Sequence, residues 1–423
     1  MARQLTRRGL LRWSALAAGA GLLPLGAGPA AADPDGPTDP YDAAFLAAVA
    51  ADPDVRAYTG PGAEFLYRPG QLLVARRDVA RVTRWLTGAG IPFERDDGFG
   101  TVARFRLGAD TDIPALVSRL RERGQWRGRP PAVQPHHVLV GYDNIMGNPG
   151  TGPIPVAAPA LPHPHGGGRG VLVGICDTGI WRDAAQFHDK RLGGAYQPEP
   201  DDEDTLYLYD DKLALQGGHG TFVAGVLRAS APGVRFDPEV ALSGTGIGDE
   251  EMLVAAIDRL DRRVRILNLS LGCRTQDDVP PLPIADRIAA LRRTVVVVAA
   301  AGNAASDRPA WPAALPGVIA VAAAETEGIA VLPASYSNFG PWVDASAAGT
   351  RTSTYVTGSL DVKNAPQQHF EGFARWSGTS FAAPHVAGRI AALMSTKGLS
   401  AGAAANHLLN QPHWKEGYGV LVP

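Results

Sequence analysis

Two cysteines in 423 residues, Cys176 and Cys273, are too few for a disulfide-stapled scaffold. Each lies in an apolar, strand-like run, where a free thiol packs as a small hydrophobe. An excess of charge is also missing: 40 Lys and Arg face 42 Asp and Glu, a net charge of −2. That balance gives no basis for nucleic acid or an anionic membrane as partner. After the first 32 residues no stretch is long and apolar enough to span a bilayer. With 45% hydrophobic and 19% charged residues, the chain is globular and has room for two or three domains.

Residues 1–32 read as an export leader. Arg7 and Arg8 precede an apolar run at 13–25, and Ala30-Ala31-Ala32 offers small residues to a signal peptidase. Gly19, Gly21 and Pro24 interrupt the run, which argues against a permanent anchor. The arginine pair resembles a twin-arginine signal, which implies secretion from a bacterium in an already folded state. Residues 33–63, rich in Pro, Asp and Ala, read as a linker with one short helix at 42–49.

Residues 64–140 alternate between the two periodicities. Strands are expected at 71–75 and 101–107, and another through 132–140. Val79, Val82, Trp85 and Leu86 mark one helix, and Ile113, Leu116, Val117 and Leu120 a second. The order β-α-β-α-β, with a hairpin in the middle, fits a small α+β sandwich without a catalytic constellation. His136 and His137 are adjacent, so in a strand they diverge and make a poor metal pair. Residues 141–168, rich in Gly and Pro, read as a loop, with His163 and His165 as polar loop residues.

From residue 169 onward strands alternate with helices. The apolar runs 171–176, 265–269, 295–298 and 318–321 predict strands, and the stripes at 253–260 and 284–291 predict helices. The expected fold is α/β, a mostly parallel sheet covered by helices on both faces, whose ligands bind beyond the carboxyl ends of the strands. Chemistry-bearing motifs stand at such ends. Asp177-Thr178-Gly179 follows the first strand. Gly218-His219-Gly220-Thr221 and Gly378-Thr379-Ser380 each open an apolar helical run. A serine in a first helical turn can be a nucleophile when a base adjoins it. Ser380 would attack a carbonyl, His219 would carry the proton, and Asp177 would orient and stabilise the imidazole. Asn303, in Ala301-Gly302-Asn303 after the strand 295–298, can donate its amide to an oxyanion, with the Ser380 N–H as second donor.

These four motifs, in the chain order Asp, His, Asn, Ser, resemble the signatures of the subtilisin-like serine proteases, and the resemblance covers about 171–423. It implies a subtilisin-like domain at 169–423 and a serine endopeptidase acting on extended polypeptides. It also implies that 64–140, ferredoxin-like in pattern, is an inhibitory, chaperoning prodomain, cleaved by the enzyme itself within 137–150. Ser270, Leu271 and Gly272 resemble the strand that pairs with substrate. Ser243-Gly244-Thr245-Gly246 resembles the opposing edge, and Ala300, Ala301 and Gly302 leave room for a large apolar side chain. No cofactor is required. Calcium, which many members bind, finds no clear motif: the acidic residues between Glu199 and Asp211 lack ligand spacing and read as a solvated loop. With the chain ending at Pro423, a freely secreted monomer is expected, without nucleic acid or membrane as partner. The competing reading is a catalytically silent subtilisin fold that acts as a binding scaffold.

Overall fold

The computed structural model describes residues 40–60, 64–141, 152–160, 167–183, 189–197, 199–200, 202–209 and 211–423. The expected leader, His163 and His165 lie outside them, as does most of the expected processing segment.

Helix α1 (Pro40–Ala51) comes first. Its residues were expected in a linker, but the helix is docked. Tyr41, Phe45 and Val49 recur every four residues and form one buried stripe. Phe45 and Val49 share a cluster with Val138, Val140 and Ile247, and the Tyr41 ring meets Trp376 edge-on.

The next unit runs β1 (Phe65–Ala75), α2 (Val79–Gly88), β2 (Glu94–Asp96), β3 (Val102–Arg106), α3 (Ile113–Arg121) and β4 (Val133–Gly141), with strand order β4–β1–β3–β2. This is the β-α-β-β-α-β arrangement of a ferredoxin-like fold. Val82, Leu86, Ile113, Leu116, Val117 and Leu120 pack the two helices on one face, against Leu72, Val74 and Phe105. Strand β4 runs past this unit into the rest of the molecule.

There the chain forms β5 (Leu172–Asp177), α4 (His219–Ser230), β6 (Arg235–Val240), β7 (Ile247–Asp249), α5 (Glu250–Arg259), β8 (Ile266–Leu269), β9 (Leu271–Gly272), α6 (Leu282–Leu291), β10 (Val296–Ala300), β11 (Val318–Glu327) and β12 (Ala345–Ala348). β13 (Thr350–Leu360), β14 (Gln368–Ser377), α7 (Thr379–Lys397), α8 (Ala401–Leu409) and β15 (Val420–Leu421) complete it. The main sheet has the order β6–β5–β8–β10–β11–β12–β15, and every neighbouring pair on that path is parallel. Buried on both faces, its central strands are the continuous apolar runs seen in the sequence. Strand order reverses at β5, which creates a crevice beyond its carboxyl end. The antiparallel pair β13–β14 leads directly into α7. Cys176 and Cys273 are both free and buried, and burial pushes both thiols well above their usual pKa.

The two units interlock through side chains. At the start of α5, buried Glu250 accepts hydrogen bonds from Gln134 Nε2 at 2.7 and 2.9 Å and from His137 N at 2.9 Å, and its Oε1 lies 2.8 Å from His137 Nδ1. His136 faces away, toward Gln71 Oε1 at 2.8 Å and Asp249. The adjacent histidines thus diverge, as strand geometry requires. Arg121 pairs with Asp277 at 2.9 Å, and Arg104 with Glu251.

Candidate active site

Asp177 is the last residue of β5 and His219 the first of α4. His219 Nδ1 lies 2.6 Å from Asp177 Oδ1, which also accepts the Thr178 N–H at 2.8 Å. An ionised carboxylate only accepts, so Nδ1 carries the proton and a neutral ring presents Nε2 as acceptor. Nε2 has no hydrogen-bond partner among the described residues. Trp376 stands edge-on to the imidazole at 5.3 Å and Phe381 lies 5.4 Å away. The approach of strand to helix requires glycine on both sides. Gly218 has φ 85°, and a Cβ there would fall 2.7 Å from Val356. A Cβ on Gly220 would fall 2.2 Å from the Gly179 carbonyl.

Ser380 is in the first turn of α7. Its Oγ donates to the Ser270 carbonyl at 3.4 Å, while Ser270 Oγ donates to the Ser380 carbonyl at 2.8 Å. Asn303 Oδ1 accepts from Thr379 N at 2.9 Å and from Thr379 Oγ1 at 2.8 Å. Thr379 Oγ1 in turn accepts the Gly302 N–H at 3.0 Å. With its oxygen held on that side, Asn303 turns Nδ2 toward Gly378, 3.2 Å from where a Cβ on Gly378 would stand. Asp177, His219, Asn303 and Ser380 are all buried.

The sequence reading missed Asp204, which it placed in a solvated acidic loop. Asp202 and Asp204 are buried. Asp204 Oδ2 accepts from Thr178 Oγ1 at 2.5 Å and from Gly218 N at 2.9 Å, and Thr178 Oγ1 accepts from Gly220 N at 3.0 Å. One carboxyl therefore ties the strand end bearing Asp177 to the helix start bearing His219. Burial, with the Asp177 charge beside it, holds this carboxyl well above the usual range. Asp202 closes a turn by accepting from Glu199 N at 3.0 Å. Asp202 and Asp204 thus each bind main-chain donors of the protein. A single sequence carries no signal for this role, because an acidic run reads as solvated until tertiary contacts are known.

Strand β4 lies antiparallel between two edges. On one side Val138, Leu139 and Val140 pair with Asp249, Gly248 and Ile247; on the other, Val140 and Gly141 pair with Gly272 and Leu271. Gly141 N also donates to the Gly246 carbonyl at 2.9 Å. Leu271 and Gly272 thus line an extended peptide segment, with Ser270 next in line. Of Ser243-Gly244-Thr245-Gly246, expected as the opposing edge, Gly246 meets β4 and the first three residues form the turn that leads into it, with Gly246 N closing onto the Ser243 carbonyl at 2.8 Å. The pairing edge is Gly246 together with β7. Ala300, Ala301 and Gly302 are buried where β10 gives way to Asn303.

The sequence profile of the Subtilase family matches residues 168–412, more than half of the chain. The protein belongs to the subtilase family. This subtilase is 32% identical over 244 residues to the thermophilic serine proteinase of Bacillus sp. (strain AK1), covering 55% of this chain and 54% of that protein. It is 30% identical over 247 residues to thermitase from Thermoactinomyces vulgaris, covering 55% of this chain and 78% of thermitase. The chain spans about a third to a little over half of the length of the first relatives it matches. Among solved structures, fervidolysin from Fervidobacterium pennivorans, a keratinolytic enzyme related to subtilisin, superposes with a TM-score of 0.56 at 20% identity, over 84% of this chain and 60% of that one. At that identity the likeness is one of fold. Residues 168–423 make up about three fifths of the chain, so a match over 84% also takes in part of the chain before residue 168.

Proposed function

We propose that this subtilase is a secreted serine endopeptidase made as a self-processing zymogen. One observation carries the reading: the Asp177–His219 pair at 2.6 Å lies at the strand-order reversal, with α7 bearing Ser380 alongside and β4 held between two edges as a substrate would be. In the reaction Ser380 Oγ attacks the scissile carbonyl and His219 Nε2 takes its proton. Asp177 stabilises the imidazolium, which then protonates the leaving amine. Water repeats the cycle on the acyl-enzyme. Asn303 Nδ2 and the Ser380 N–H receive the oxyanion. At 3.4 Å the Ser380–Ser270 hydrogen bond is longer than the usual O–H···O range, so turning Oγ toward Nε2 costs little. Main-chain pairing on both sides of the substrate suits extended polypeptides of varied sequence.

Residues 64–141 act as the inhibitor in this reading, because β4 fills the cleft and α5 holds Gln134 and His137. The register supports one processing site. Gly141 pairs with Leu271, the neighbour of Ser270, whose carbonyl is 3.4 Å from Ser380 Oγ. We infer cleavage at Tyr142–Asp143, a bond outside the described residues. Mass spectrometry of secreted protein should find an N-terminus at Asp143 in the wild type and none there in Ser380→Ala. The same N-terminus in both would overturn self-processing. The Arg7-Arg8 leader supports export, and the same spectra report its removal.

Asn303→Leu should lower kcat by about 10²–10³-fold with KM little changed, the loss that subtilisin shows for one such donor. Assays on protein trimmed in trans check this. Asp204 is a positioning residue in this account. Asp204→Asn keeps an oxygen for both Thr178 and Gly218 and should retain most activity. Asp204→Ala orphans both donors and should lose about 10²-fold, the size that a displacement of about 1 Å can cause. Because the folded carboxyl titrates above its ordinary value, it destabilises the fold as pH rises through that range. The melting temperature of Asp204→Asn should therefore gain on wild type as pH rises above the ordinary carboxylate range.

A further inference from the structure

Gly141 is the one residue of β4 whose side-chain space is already taken. A Cβ there would stand 2.7 Å from Gln216 Oε1, 3.3 Å from Gln216 Cδ and 3.4 Å from Leu242 Cδ1. The Gly141 backbone is ordinary extended strand, outside the positive-φ glycines, so space alone excludes a side chain. Alternation along β4 puts Val138 and Val140 toward α1 and Ile247, and Gly141 toward the body of the domain.

The Gln216 backbone is fixed on both sides and its side chain is wholly buried. Its N donates to the Gly244 carbonyl at 2.9 Å, and its carbonyl accepts the His219 N–H at 3.0 Å. On its other flank a Cβ on Gly246 would fall 2.4 Å from Gln216 Cγ. The side chain is thus clamped between two glycines, one in the cleft edge and one in the strand that the cleft holds. Neither Oε1 nor Nε2 has a hydrogen-bond partner among the described residues. A buried amide left unpaired is costly to the fold, so its packing needs do not explain why a glutamine stands there.

We propose that Gln216 is a specificity-determining residue, which makes the cleft select extended peptides with glycine at the position paired with Leu271, one residue before the carbonyl that Ser380 attacks. The proposal rests on the serine endopeptidase reading for its meaning in substrate choice. Its physical basis, exclusion of a Cβ at this position by Gln216, stands without catalysis.

Two measurements test it. The first uses the full chain carrying Ser380→Ala, which stays uncut, and reads the melting temperature. Gly141→Ala should lower it with Gln216 in place and by less than half as much beside Gln216→Ala. Gln216→Met, which keeps the volume and removes the amide, should preserve the full penalty of Gly141→Ala. An equal penalty in all three backgrounds would overturn the proposal. The second uses self-processed enzyme and two internally quenched peptides, Leu-Val-Gly-Tyr-Asp-Asn and the same peptide with alanine for glycine. Wild type should prefer the glycine peptide in kcat/KM by at least about tenfold, at the lower end of what one extra methyl costs in a filled site. Gln216→Ala should reduce that preference below about threefold. An unchanged ratio would overturn the proposal. If wild type cuts neither peptide and Ser380 takes no active-site label, the endopeptidase reading fails instead, and the melting series still decides whether Gln216 excludes a side chain.

Discussion

Ser380→Ala is expected to lower kcat on the order of a millionfold, the loss that subtilisin suffers when its nucleophile is removed. The variant must first be trimmed in trans by a trace of wild-type enzyme, because it should not cut itself. KM and melting temperature should stay close to those of trimmed wild type, since the hydrogen bond from the serine hydroxyl to Ser270 is long, at 3.4 Å. A residual rate within about a hundredfold of wild type would mean that another group attacks the carbonyl.

Asp177→Asn is expected to cost about 10⁴-fold in kcat near neutral pH, with the fold intact. Asp177 Oδ1 holds two donors, the Thr178 N–H and His219 Nδ1. An amide of the same shape keeps the packing but carries no charge to stabilise the imidazolium. It can also present its NH₂ to Nδ1, which would put the ring proton on Nε2, where it blocks acceptance from Ser380. The contrast with Asp204→Asn is the informative part. Both carboxyls are buried within one hydrogen-bonded cluster, yet only Asp177 is asked to be charged while the proton moves. Comparable losses in the two variants would show that the cluster acts as a scaffold and that the charge is not what matters at Asp177.

The motifs of the candidate site were legible because each breaks its local pattern. Asp177, His219, Asn303 and Ser380 are polar residues at the end of an apolar strand or the start of an apolar helix, flanked by glycines that the close approach demands. The unit at 65–141 was legible for a different reason, the switch between periods of two and 3.6. Helix α1 was harder to read. Its stripe of Tyr41, Phe45 and Val49 was visible, but Pro, Asp and Ala around it read as linker, and nothing local says that β4 and Ile247 lie opposite. Strand β12 is Ala-Ser-Ala-Ala, and β13 begins Thr-Arg-Thr-Ser-Thr; such sequences carry little strand signal until the neighbouring strands bury them. The cleft edge was placed early, on 243–246, of which only Gly246 meets β4, because a glycine-rich turn and the strand it feeds look alike in composition. Asp204 and Gln216 were out of reach altogether. Their roles come from atoms more than ten residues away along the chain, in Thr178 and in Gly141.

The measurement that bears most directly on the central claim is labelling of the secreted, processed protein with a fluorophosphonate, read by peptide mass spectrometry. The account predicts one adduct, on Ser380, formed in wild type and absent in His219→Ala, because attack on phosphorus needs the same base as attack on a carbonyl. An unmodified Ser380 in folded, processed protein would contradict it and leave a subtilase fold that binds peptides without cutting them.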